Sequence, residues 1–67
     1  MNEWPSRLAI AIDMAKTRGR VSGLTDAEAD EVVQAWVKWS QVRFDPVPWD
    51  RVGTSMTLRA MGKEWRP

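Results

Sequence analysis

The sequence predicts a small all-α domain of three helices, with the third short or broken near Gly53. Three observations predict it. Apolar residues recur at helical spacing rather than in alternation, paired glycines and paired prolines break the chain at two places, and a capping-box signature opens the middle segment. Gly19 and Gly23, then Pro46 and Pro48, leave blocks at 2–18, 24–44 and 48–65. The gaps between blocks are too short for a linker, so residues 1–67 read as one domain. A chain of this length hides only about 60% of the surface it exposes when unfolded, so its core is small.

The first block reads as a helix capped by Asn2, with Pro5 tolerated in the first turn, where backbone N–H groups have no partner. At helical spacing Trp4, Leu8, Ile10, Ala11, Ile12, Met14 and Ala15 share one arc of roughly 200°, against the ~100° usual for a surface helix. Lys16, Arg18 and Arg20 follow at its C-terminal end, where cations favour the helix dipole.

The second block opens with Thr25-Asp26-Ala27-Glu28, in which the Thr hydroxyl and the Glu carboxylate each accept from the other residue's backbone N–H. Leu24 and Ala29 take the staple positions, and Asp26, Glu28, Asp30 and Glu31 crowd the positive end of the dipole. Ala29, Val32, Val33, Ala35, Trp36, Val37 and Trp39 form a second wide apolar arc, and Asp45-Pro46 stops the helix near Arg43. In the third block Pro48 opens a turn, Gly53 interrupts it, and Thr54 or Ser55 caps a second piece that ends near Met61 with Gly62 as the stop. Leu58, Met61 and Trp65 share a face that folds the tail back on the core.

Composition excludes several classes of function. With no cysteine and no histidine there is no disulfide, no thiol or imidazole chemistry, and no zinc site with its usual ligands. The carboxylates at Glu28/Asp30/Glu31 and Asp45/Asp50 read as a helix cap and a loop, and so short a chain leaves little room for a cleft of ~300 Å³. The expectation is a non-enzyme without metal or cofactor. No apolar run approaches the length of a membrane span, and no basic-then-apolar leader opens the chain, so a cytoplasmic protein is expected.

Five tryptophans and no tyrosine are the unusual feature. Trp36, central on its arc, reads as core; Trp39 at the edge of that arc, Trp49 in a proline-flanked loop and Trp65 in the tail read as anchors for another protein, with Arg43, Arg51 and Arg59 around them. Two over-wide apolar arcs cannot both be covered by one short third block, which leaves surface for a target or for a second copy in a homodimer. The expected function is therefore that of a protein–protein interaction module, an accessory factor or inhibitor of the phage or mobile-element type.

The alternative is a transcription-associated DNA- or RNA-binding protein. Outside the acidic run 26–31 the chain carries a local excess of positive charge, gathered at Lys16, Arg18 and Arg20 and at Arg51, Arg59, Lys63 and Arg66. Such clusters neutralise phosphates, and tryptophan stacks on unpaired bases. Trp36-Val37-Lys38-Trp39, the proline loop and a short helix with Arg59 and Met61 resemble the N-terminal part of small phage antitermination proteins of the Q type. The basic helix-turn-helix of that family is absent downstream, and the chain is not assigned to it.

Overall fold

A computed structural model describes residues 6–67, and all regular structure in them is helical. Helix α1 spans Arg7–Val21, α2 spans Asp26–Arg43 and α3 spans Trp49–Ala60, and each packs on the other two. The expected cap at Asn2 and the expected place of Trp4 and Pro5 on the first helix lie outside the described residues. Ser6 caps α1 as observed: its Oγ accepts from the backbone N–H of Ala9 at 3.1 Å.

Two glycines read as breaks are instead points of close approach. The first helix does not stop at Gly19 but runs on to Val21. A Cβ on Gly19 would lie 2.8 Å from the Cβ of Ala29 and 3.3 Å from the sulfur of Met56, so the missing side chain lets α1 and α2 approach closely. Nor does Gly53 break the third helix, which is continuous from Trp49 to Ala60. Gly53 is buried beneath the side chain of Arg18. Thr54 and Ser55 consequently cap nothing; both sit inside α3, where the Thr54 hydroxyl donates back to the carbonyl of Asp50. Pro48 leads into the helix as expected, with its carbonyl accepting from Val52.

The remaining boundaries follow the sequence. Gly23, at φ 98°, closes α1, with the N–H of Gly23 on Arg20 and that of Leu24 on Gly19. The capping box of α2 is complete: Glu28 N–H donates to Thr25 Oγ1 at 3.1 Å and Thr25 N–H to Glu28 Oε1 at 2.8 Å. Leu24 and Ala29 are both buried beside it. Helix α2 ends at Arg43, where Phe44 takes a left-handed conformation at φ 56° and lets Asp45 N–H reach the carbonyl of Ser40. A non-glycine residue in that region carries strain of about 1–2 kcal/mol, and Phe44 is 96% exposed. Gly62, at φ 71°, ends the turn after α3.

The core is Ala15, Leu24, Ala29, Val32, Val33, Trp36, Val52, Met56 and Trp65. Trp65 was expected among the exposed anchors; it is 7% exposed and belongs to the core. Its position is held by a buried chain of hydrogen bonds: the Trp36 indole N–H donates to Ser55 Oγ at 2.9 Å, and the Ser55 hydroxyl donates to the Trp65 carbonyl at 2.9 Å. The tail thus folds back on the bundle, as the spacing predicted. Helix α1 departs from its expected packing. It meets the bundle through Ala15 and Gly19, with Ile12 partly covered, while Leu8, Ile10 and Met14 of the predicted arc stay exposed.

Candidate functional site

Helix α1 carries apolar side chains in two directions. One set, Ile12, Ala15 and the Gly19 gap, faces the bundle. At 100° per residue Ile10, Met14 and Val21 fall within about 40° of one another on a different face, and they are 45, 69 and 85% exposed. Between α1 and α3, with Met14 the member of this face that reaches it, there is a groove of about 370 Å³, lined by Ala11, Met14, Ala15, Arg18, Trp49 and Gly53. Small residues on both helices make its floor, and the Met14 side chain and the half-buried Trp49 indole make its walls. The groove is open to solvent and a little above the ~300 Å³ for which so short a chain was expected to have little room.

Arg18 borders the groove by geometry rather than by an ion pair. A Cβ on Gly53 would stand 3.2 Å from Arg18 Cδ and Nε and 3.3 Å from Cζ, so the guanidinium stem lies along the slot left by that glycine. Among the described residues no carboxylate lies within ion-pair distance of Arg18, and the groove lining contains no carboxylate, hydroxyl or amine. The groove can take up apolar side chains and present one cation to them; it offers no general base or nucleophile.

The six residues expected to anchor a partner do not form one surface. Trp49 lines the α1–α3 groove. Trp39 is half-buried at the end of α2, edge-on to Trp36 at 5.3 Å between ring centroids and beneath Arg43 at 5.0 Å. Those two residues line a shallow hollow with Ala35, Lys38, Val42 and Pro67. Arg51 and Trp65 border a third hollow, and Arg59 stands near Gly62 and Lys63 in a fourth. Met14, Ile10, Val21 and Ala11 were not among the expected anchors. The over-wide arc of the first block was the available signal, but helical spacing alone does not say which side of such an arc is covered.

The two basic clusters are partly neutralised. The acidic run of α2 lies against both. Lys16 pairs with Asp30, Arg20 with Asp26 at 2.8 Å, Arg59 with Glu28 and Glu31, and Arg66 with Glu31. The run set aside in the sequence count is therefore the counter-charge of the clusters themselves. The Arg20 guanidinium, hydrogen-bonded to Asp26, holds that carboxyl below its ordinary value, and the backbone N–H of Thr25 does the same for Glu28. Arg51, Lys63 and Arg18 have no such partner among the described residues.

No cluster of metal-ligating side chains occurs among the described residues, and no helix among them is long and apolar enough to cross a membrane. Comparison with protein-family models, with curated proteins and with solved structures finds no match.

Proposed function

We propose that this chain is a small non-enzymatic protein-binding module, an accessory factor or inhibitor, that docks through the α1–α3 groove. The observation that carries this reading is the groove itself: an apolar trough of about 370 Å³ lined by Trp49 and the 69%-exposed Met14, with the exposed Ile10 one helical turn from Met14. Solvent-facing apolar residues that line a concavity beside a tryptophan and an arginine are the usual composition of an interface centre. Of the sequence-expected anchors, Trp49 is thus the principal one. Trp39 and Arg43 belong to a second, shallower surface, and Trp65 acts from within by holding the tail. The pairing of the basic clusters with the acidic turns of α2 lowers the charge available to a phosphate backbone, and protein is the favoured partner for that reason.

Immobilised wild-type protein, Trp49→Ala and Met14→Gln test this against a lysate of the source cells, with far-UV circular dichroism as the control for folding. The wild type captures a discrete protein, and both variants lose it with helicity intact. Equal capture by the two folded variants would place the docking surface elsewhere.

A further inference from the structure

We infer that the partner of the α1–α3 groove is an amphipathic helix whose apolar face is bordered by carboxylates, and that Arg18 reads this charge. The inference rests on the docking reading above and deepens it. The exposed stripe from Ile10 to Val21, which adjoins the groove at Met14, extends for about 16 Å at 1.5 Å per residue, the length of some three helical turns. Its side chains stand in a row along α1, which suits a second helix laid beside it with anchors at i, i+3 or i+4, and i+7. The row is therefore a bed for a helix rather than a socket for a single side chain.

Charge selects among helices. Arg18 is the cation in the groove lining, its stem rests in the Gly53 slot, and no carboxylate among the described residues lies within ion-pair distance of it. The cations of α1 nearest to it in sequence are already paired, Lys16 with Asp30 and Arg20 with Asp26, and Arg7 stands at the far end of the helix. A guanidinium left unpaired at the edge of an apolar trough favours a partner that brings the anion. A second copy of this chain does not bring it through the same face. An isologous pair presents identical patches to each other, and this patch contains a cation and no anion. The single acid of α1, Asp13, lies about 140° around the helix from Arg18 at 100° per residue.

The test uses the full chain and three synthetic helical peptides that share one leucine stripe and differ in the residues flanking it: glutamate, glutamine or lysine. Binding is followed by ¹H–¹⁵N correlation spectra, read at the Trp49 indole N–H and the amides of Ala11 to Arg18. The glutamate peptide moves these signals and binds roughly two- to fivefold more tightly than the glutamine peptide, with the lysine peptide weakest. In Arg18→Gln that order collapses while the leucine stripe still binds; a merely structural Arg18 would weaken all three peptides alike. Equal affinity of the three peptides for the wild type overturns the acidic partner and leaves the docking reading standing. If no peptide moves the groove signals, the docking reading falls as well. If they move with protein concentration and no peptide is present, the occupant is a second copy and the inference is wrong.

Discussion

Alanine at Gly19 should destabilise the protein, although a glycine inside an otherwise ordinary helix normally invites that replacement. The two effects have opposite signs, and their sizes follow from the structure. Replacing an interior helical glycine by alanine gains about 1 kcal/mol in helix propensity. Against this, the new methyl would stand 2.8 Å from the Cβ of Ala29 and 3.3 Å from the sulfur of Met56. Carbon atoms in contact sit near 3.5–4.0 Å, so α1 must move away from α2 by the order of an ångström. Neither neighbour can yield easily, since Ala29 is tied to its backbone and both it and Met56 are fully buried. Overpacking of this kind costs about 1–3 kcal/mol, so a net loss of about 1 kcal/mol is expected. In a domain of this size that lowers Tm by about 4–8 °C. Urea and thermal unfolding of Gly19→Ala beside the wild type measure it. A rise in Tm would mean that the helices are not in close contact at this point, and the packing described for α1 would be wrong.

Other perturbations probe the tail, the cap and the strained residue. Ser55→Ala leaves the buried Trp36 indole N–H and the Trp65 carbonyl without partners, at a cost of about 1–3 kcal/mol; near-UV circular dichroism should change with it, and a loss of only a few tenths would show that the tail is not held this way. Phe44→Gly relieves the left-handed conformation at the end of α2 and should add about 1 kcal/mol, whereas a loss of stability would show that the aromatic ring packs on the bundle. Asp26 and Glu28 have folded-state values below their ordinary ones. Their contribution is therefore present above the unfolded carboxylate value of about 4 and is lost as pH falls through the lowered values. Glu28→Gln should flatten the acid side of the stability curve, and superimposable curves for variant and wild type would contradict the assignment.

Local chemistry was readable from the residues themselves. The capping box at Thr25 and Glu28 needs only a hydroxyl and a carboxylate three positions apart, and it is present as expected. Gly62 closes α3 because the residue that must take positive φ lies next to the helix it ends. Gly19 and Gly53 were misread because a glycine's part depends on what packs over it. The partners are Ala29 on another helix and the Arg18 side chain, neither of which local spacing reveals. Trp65 illustrates the same limit. Its periodicity with Leu58 predicted a return to the core, yet the Ser55 hydroxyl that fixes it looked like a helix cap. The groove was legible only as a surplus. Two arcs too wide for their neighbours announced uncovered apolar surface, but the choice between Ala15 and Met14 as the packed side depended on how closely Gly19 lets α2 approach. The pairing of the basic clusters was hidden for a related reason: Arg59 and Arg66 are distant in sequence from the acidic run they pair with.

On the reading proposed above, the molecule meets another protein with the Met14 and Trp49 side of α1 and α3. Photo-cross-linking tests it most directly, with a benzophenone side chain placed at Met14 in one variant and at the exposed Gln34 of α2 in another. Position 14 is expected to give a discrete adduct that disappears when Trp49 is changed to alanine, and position 34 none. An adduct from position 34 alone would contradict it.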